Sequence, residues 1–338
     1  MNANNDTKQV PWVRLSEVHK NALLYVDNRR TGRIKSLKTP WSKVDEVGVG
    51  GFDWNTIITV AGRPGSGKTT IVNQFTREAH KRNPNQDFAV LDFQFEMTHS
   101  ATGIREFTQA TGVSYRKILS ADRPLDDYTM NKINEYIRFN QNRDIFQVDI
   151  ACTVAQMKMI IREFYAANNN KPIIVTIDHS VLIKTAGTEK DKFETLYNLG
   201  EMMTELKKEL RVMFIVLTQM NRSIEDQIRR VPGTAANFPT SADIYGADAL
   251  LQHSDIMMVI ARPATMNLPV YGPQKFVISK NTLIMHFLKV RNGEPTMVFF
   301  REDFANQKIW ETDAPDANTN SLPPQGSPVV PANFVKIQ

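Results

Sequence analysis

The apolar run Ile57-Ile58-Thr59-Val60 leads directly into Gly62-Arg63-Pro64-Gly65-Ser66-Gly67-Lys68-Thr69, and a stretch of helical spacing begins near Lys68. No other feature limits the possible fold of this chain so tightly. Glycines at 62, 65 and 67 let backbone N–H groups come close to phosphate oxygens. Lys68 can reach the β- and γ-phosphates, and Thr69 can offer its hydroxyl to Mg²⁺. Strand, loop and helix in this order predict a site for ATP and Mg²⁺ made by Gly62, Arg63, Pro64, Gly65, Ser66, Gly67, Lys68, Thr69 and Thr70. The competing reading, a glycine-rich turn without a ligand, requires every fixed position to match by coincidence.

A phosphate loop of this kind needs an acid at the end of a second buried strand to complete the metal site. Asp178, after Ile173-Ile174-Val175-Thr176-Ile177, is the candidate, because a carboxylate following five apolar or β-branched residues is costly unless something pairs with it. The next residue is His179 rather than a second acid, so the water-activating base must come from elsewhere. The strand Phe88 to Phe95 runs into Glu96, which would face the γ-phosphate if that strand neighbours the phosphate-loop strand. Asp92 on the same strand is an alternative acid, but it lies inside the strand rather than at its carboxyl end. Gln219, at the end of Val212 to Thr218, can sense a γ-phosphate or simply be solvated. His179 and His253 have no metal-ligand spacing and read as structural.

The apolar runs Thr56–Ala61, Phe88–Phe95, Ile145–Ile150, Ile173–Ile177, Val212–Thr218 and Asp255–Ala261 alternate with stretches of helical length at 68–83, 98–111, 124–141, 153–168 and 190–210. This alternation predicts an α/β fold with a mostly parallel central sheet covered by helices on both faces. Leu283–Val290 and Thr296–Arg301 flank Arg291-Asn292-Gly293-Glu294-Pro295 and predict a C-terminal β-hairpin. Residues 1–36 read as one short helix and a basic linker, 37–310 as the main domain, and 311–338 as a proline-rich tail expected to be disordered.

Charge adds little. The net charge of +5 resides mostly in residues 1–46, with nine Lys/Arg against five Asp/Glu, while the remaining 292 residues carry 32 against 31. A nucleic-acid argument must therefore rest on individual loops. The one cysteine, Cys152, excludes an internal disulfide and a cysteine-based zinc site, and it reads as a small buried apolar residue. No apolar run reaches the roughly 18 residues of a membrane helix, and the polar start is not a signal peptide, so no membrane partner and a cytoplasmic location are expected.

Taken in order, the motifs resemble those of the ATPase domain of DnaB-type replicative helicases, over about Leu37 to Trp310. GRPGSGKT is similar to that family's phosphate loop, FQFEM (93–97) to its catalytic-glutamate strand end, and TIDHSVLI (176–183) to its metal-aspartate strand. LTQMNR (217–222) resembles its glutamine sensor, and KVRNGEP (289–295) a hairpin whose lysine and arginine reach a neighbouring subunit's nucleotide. The resemblance implies a RecA-like fold, Glu96 as general base, Gln219 as γ-phosphate sensor, and Lys289 with Arg291 acting in trans. It also implies a homo-oligomeric ring, a hexamer, with the helix near residues 13–28 packing on a neighbour. Such a ring would translocate on single-stranded DNA and unwind duplex, with a loader, a primase or a separate collar protein as further partners.

In that family, loops after the metal strand and after the glutamine motif line the DNA channel, which makes Arg222, Arg229, Arg230 and Tyr245 the candidates here. Bacterial members show an Arg-Glu pair in a segment DLRESG. This chain has Asp243-Ile244-Tyr245-Gly246-Ala247-Asp248 instead, which leaves Tyr245, the loop arginines or backbone N–H groups to substitute. The family's preceding helical domain has no counterpart in the sequence, which suggests a phage or mobile-element enzyme acting in a host cytoplasm. Two other functions stay open: a DNA-dependent ATPase that forms filaments or switches assembly without unwinding, and a degenerate subunit without turnover. The complete phosphate loop disfavours the last.

Overall fold

Strands that are apolar on both sides need cover on both faces, and the computed structural model, which describes residues 12–315 and the pair 335–336, provides it. In chain order the elements are α1 (Leu15–Arg30), α2 (Ser42–Val47), β1 (Ile57–Gly62), α3 (Lys68–Arg82), β2 (Ala89–Gln94), α4 (His99–Thr111), α5 (Tyr115–Ile118) and α6 (Asp127–Asn140). There follow β3 (Ile145–Val148), α7 (Val154–Ala167), β4 (Ile173–Asp178), α8 (Lys192–Glu209), β5 (Val212–Gln219), α9 (Ala247–His253) and β6 (Ile256–Ala261). The last strands are β7 (Val270–Tyr271), β8 (Phe276–Val277), β9 (Thr282–Val290), β10 (Thr296–Asp303), β11 (Lys308–Thr312) and β12 (Val335–Lys336).

The sheet order is β11-β10-β9-β6-β1-β5-β4-β2-β3, with β12 beside β10. Every pairing from β3 across to β6 is parallel, and β9, β10 and β11 continue the sheet antiparallel. This is the expected mostly parallel sheet with a C-terminal hairpin. Period-2 alternation sends successive side chains of β1 into different cores. Ile58 and Val60 join Ile71, Val72 and Phe75 of α3 on one face. Ile57 and Ala61 join Met157 and Ile161 of α7 and Leu196, Leu199 and Met203 of α8 on the other. Cys152 is buried in that second core and free. Each fully buried side chain of this size contributes about 1.5–3 kcal/mol, so the P-loop strand is clamped from both sides.

Several features differ from the sequence reading. The connection after β9 is wider than a two-residue turn. The last β9–β10 pair is Phe287↔Thr296, and Val290 pairs with Ile256 of β6 instead. Neither Asn292 nor Gly293 has a positive φ, so this Asn-Gly step is not the tight hairpin turn that its composition favours. Residues 311 and 312, expected to open the tail, instead complete β11, and Glu311 accepts hydrogen bonds from the Ser42 and Lys43 backbone N–H groups at the start of α2. Beyond Pro315 the expectation of disorder falls outside the described residues, apart from the pair in β12. Short elements with no clear period, α5 and the β7–β8 hairpin, had no sequence signal.

The chain from Leu37 onward forms one unit, and the residues before it form another. In the latter, α1 buries none of its side chains. Leu15, Val18, Leu23, Leu24 and Val26 are exposed, and Asp27 pairs with Arg30 and Arg33 near the C-terminal end. Among the described residues no helix is long and apolar enough to cross a membrane.

Leu199 of α8 is fully buried against the sheet. Leu199→Ala should lower the unfolding free energy by about 2–5 kcal/mol, read as a lower urea midpoint at unchanged slope. A loss below about 1 kcal/mol would contradict the packing of α8 described above.

Candidate nucleotide site

β1 ends at Gly62 and α3 starts at Lys68, with Gly65 (φ 72°) and Gly67 (φ 94°) both in the left-handed region in which side chains with a Cβ are strained. Space is short as well. A Cβ on Gly67 would lie 2.3 Å from the Phe304 ring, and one on Gly62 would lie 2.4 Å from Ser66 Oγ. Among the described residues no side chain caps α3 and no acid stands in its first turn, so its N–H groups and the positive end of its dipole face the loop. Lys68 is buried and donates to Gly62 O (2.9 Å) and Arg63 O (3.1 Å). Burial pushes its pKa down, against the charges of Asp178 and Glu96.

Asp178 closes the site from β4. It is 3% exposed, its Oδ2 accepts from Thr69 Oγ1 at 2.8 Å, and its Oδ1 has no hydrogen-bond partner among the described residues. Burial pushes its pKa up to about 6, with Thr69 opposing and the nearby Glu96 charge adding to the rise. A hydroxyl and one half-satisfied carboxylate fit Mg²⁺, which is held by few protein oxygens and takes the rest of its shell from phosphate and water, and the Lys68 ammonium in the glycine loop fits the phosphate. Ser66 Oγ is also buried without a partner and faces the same loop.

The expected base reaches this cleft by a different route from the one the sequence suggested. β2 does not neighbour β1, because β5 and β4 lie between them. Glu96 still arrives because Gln94 is in register with Asp178 and Phe95 N donates to Asp178 O at 2.7 Å, which carries the exposed Glu96 past the carboxyl end of β4. Gln219 is exposed and in register with Gly62 across the β1–β5 pair, so it stands directly beside the loop. Asp92 is buried below the cleft and does not reach it. His179 is buried with its pKa lowered to about 4, chiefly by burial, and its Nδ1 accepts from Val181 N. Its Nε2 is buried without a hydrogen-bond partner among the described residues.

The C-terminal strands add groups that sequence reasoning missed. The Arg262 guanidinium lies 4.6 Å over the Phe304 ring, donates to Gly65 O (3.1 Å) and pairs with Glu302 (2.5 Å). Thr70 Oγ1 donates to Gln307 Oε1 (3.2 Å), and Gln74 of α3 is bonded both ways to the Ile309 backbone. Arg63 pairs with Glu225 at 2.6 Å. No motif spacing connects positions so far apart in sequence, so only the folded chain could reveal them.

Lys289 and Arg291 lie elsewhere. Because β9 runs antiparallel to β6, Arg291 falls level with Asp255 and Ile57, five residues below Gly62 along the sheet. At about 3.3 Å per residue that is roughly 17 Å. Arg291 Nη1 lies 2.6 Å from Asp255 Oδ1. Asp255 is distant in sequence and brought in by β6. Lys289 Nζ donates to Leu251 O (2.7 Å), and its pKa is lowered by burial first and by Arg291 second.

The loop from Asn221 to Gly246 is folded into short 3₁₀ turns. Arg229 holds it together, pairing with Asp243 (2.6 Å) and donating to Ala236 O and Phe238 O. Tyr245 is half-buried against the core, and its backbone N donates to Gln219 O at 2.9 Å. Of the four expected DNA contacts, only Arg222 and Arg230 present exposed side chains.

A carboxylic acid with a raised native pKa destabilises the fold as pH climbs from its unfolded value, 3.8, through about 6. Asp178→Asn should therefore raise the melting temperature of the nucleotide-free protein at pH 7.5, by at most roughly 3 kcal/mol of stability. It should also abolish the further rise on adding Mg²⁺ and ATP. An unchanged Mg²⁺-ATP stabilisation in this variant would remove Asp178 from the metal site.

A family model described as the DnaB-like helicase C terminal domain matches residues 36–307. Replicative DNA helicase DnaB of Helicobacter pylori is 23% identical over 251 residues, and that of Pasteurella multocida 25% identical over 236. These alignments cover 73% and 69% of this chain but 49% and 48% of the relatives, so the chain spans about half the length of the curated relatives it matches. Among solved structures, the ATPase domain of G40P superposes with a TM-score of 0.73 at 20% identity, covering 86% of this chain and 97% of that one. The shared architecture is the RecA-like sheet. The chain therefore belongs to the family of DnaB-like helicase C-terminal domains.

Proposed function

We propose that this chain is the motor of a DNA helicase, hydrolysing ATP at sites shared between copies arranged in a ring. One observation carries the reading. A nucleotide half-site stands at the carboxyl edge of the sheet, and a Lys289/Arg291 hairpin stands at the opposite edge, roughly 17 Å away along six-residue strands. A single copy cannot join the two. Head-to-tail contact, in which one copy's hairpin meets the next copy's phosphate loop, joins them at every interface and closes a ring when the rotation permits. The family supports a hexamer, with the exposed apolar face of α1 as a further contact between copies.

In such a site the loop N–H groups and Lys68 hold the phosphates, while Thr69 and Asp178 hold Mg²⁺, which when bound neutralises phosphate charge. Glu96 orients water and takes its proton. Gln219 stands level with the first loop glycine, where the presence of a γ-phosphate is felt, and its backbone carbonyl accepts from the Tyr245 backbone N–H. Arg291 is 59% exposed on its side chain, so its pairing with Asp255 is solvent-screened and easily exchanged for a neighbour's phosphoryl group. Exposed Arg222 and Arg230, with backbone N–H groups of the same folded loop, are the contacts to single-stranded DNA, replacing the usual Arg-Glu pair. The H. pylori and P. multocida relatives are named as replicative helicases. A related structure is described with its interactions with primase, at a TM-score of 0.70 and 20% identity, covering 86% of this chain and 66% of that one. By that likeness a primase or loader is a partner and the cytoplasm the place of action.

Glu96→Gln and Arg291→Ala should each cut DNA-stimulated turnover by at least about 10²-fold and leave ATP affinity within about threefold. Mixed rings of the two variants should regain turnover, because an Arg291→Ala subunit's nucleotide then meets an intact arginine from its Glu96→Gln neighbour. Co-assembly without recovery rules out the shared site, and hydrolysis without forked-duplex unwinding would favour a filament or switch instead.

Arg222→Ala with Arg230→Ala should weaken single-stranded DNA binding equally across sequences and reduce the salt slope by about 1 to 2. Unaltered salt dependence would remove both arginines from the interface.

A further inference from the structure

Asp92 has no role at the reacting atoms, yet it is 1% exposed, where an ionised carboxylate is costly unless firmly paired. Its two oxygens divide between two elements. The Thr176 hydroxyl of β4 donates to Oδ1, and Arg77 Nη1 of α3 lies 2.5 Å from Oδ2. On its other side Arg77 donates through Nε to Glu106 Oε1 of α4 (2.7 Å), and Tyr136 OH of α6 donates to Glu106 Oε2 (3.1 Å). Burial would push the arginine's pKa down, but the Asp92 and Glu106 carboxylates outweigh it and raise the value, so the guanidinium stays charged.

β2, β4 and α3 each lead to or from a group of the nucleotide site. Thr176 is two residues before Asp178, Asp92 is four residues before Glu96, and Arg77 is on the helix whose first turn carries Lys68 and Thr69. α4 leaves the Glu96 segment directly and is tied to the same guanidinium. In the sheet Asp92 is in register with Thr176, so the bridge spans β2, β4 and α3 at one level beneath the cleft. Stability alone does not account for it, since apolar side chains of similar volume usually stabilise as well as a buried ion pair does or better. What charged, directional contacts supply is a defined distance.

We infer that the Arg77–Asp92–Thr176 bridge is a positioning device that sets the spacing between phosphate loop, metal-side aspartate and catalytic glutamate, and so acts on turnover rather than on nucleotide affinity. This rests on the ATPase reading proposed above. A displacement of about 1 Å between reacting groups is enough to slow a reaction 10²-fold while ground-state contacts survive.

The test uses the full chain with single-stranded DNA. Arg77→Met combined with Asp92→Leu replaces the pair with apolar side chains, and Thr176→Val removes only the hydroxyl. For each variant, kcat, the Kd of a fluorescent ATP analogue with Mg²⁺, and Tm are measured. The double variant should keep its Tm within a few degrees and its Kd within about threefold, yet lose about 10- to 100-fold in kcat. Thr176→Val should lose about fivefold or more in kcat with the same split, and it decides the matter if the double variant fails to fold. Wild-type kcat in a folded variant overturns the inference, as does a Kd that weakens in proportion to kcat. A wild-type chain without any ATP turnover overturns the proposed function and this inference together.

Discussion

A carboxylate held almost out of solvent with one oxygen unpartnered is the constraint on which the site depends. Asp178 occupies that state at the end of β4, and the cost is visible in its raised pKa. The fold tolerates it because β4 is a central strand, clamped by β2 and β5 and by cores on both faces, so the residue cannot withdraw into water. Among the described residues the one group that donates to it, the Thr69 hydroxyl, stands in the first turn of α3, and the chain reaches that turn only because Gly65 and Gly67 adopt left-handed conformations. Lys68, buried beside it, donates to carbonyls of its own loop. A bound anion with its cation would satisfy the unpartnered carboxylate oxygen and match the buried ammonium.

The sheet that supports this arrangement also separates the chain's functional parts. β1 carries the phosphate loop at one end, and at the other its Ile57 N–H donates to the Asp255 carboxylate that also pairs with Arg291 and Lys207. A buried six-residue strand is stiff, and no side chain spans its length. The separation of the arginine from its own chain's loop is therefore built into the topology. The C-terminal strands play the opposite role. By adding β9, β10 and β11 beyond β6, the fold returns residues 302–309 to the phosphate loop, where Phe304 and Gln307 enclose the start of α3.

Much of this was legible beforehand wherever a local pattern coincided with a local cause. Runs apolar on both sides become β1, β2, β4, β5 and β6 within a residue or two of their expected limits, because a strand buried on both faces carries few polar residues and pairs those it has. Thr69, Lys68 and Asp178 stood out as candidates because their chemistry requires fixed spacing or an otherwise unexplained buried charge. What the sequence did not show was relative placement. The Arg229 guanidinium binds the loop that carries it. Arg262 stacks on Phe304 across 42 positions that share no period.

The amino-acid order by itself determined the class of fold, the phosphate loop and the acids that serve it, since backbone conformation, helix polarity and the burial of strands act over a few residues and leave their mark there. Only the tertiary structure decided that β5 and β4 separate β1 from β2, that Glu96 reaches the cleft beside β4, that Arg291 rests on Asp255, and that Asp92 joins three elements below the site. Those facts depend on strand order and register. They are settled by the packing of two faces of a sheet at once, a balance to which every part of the unit from Leu37 onward contributes and which no short segment records.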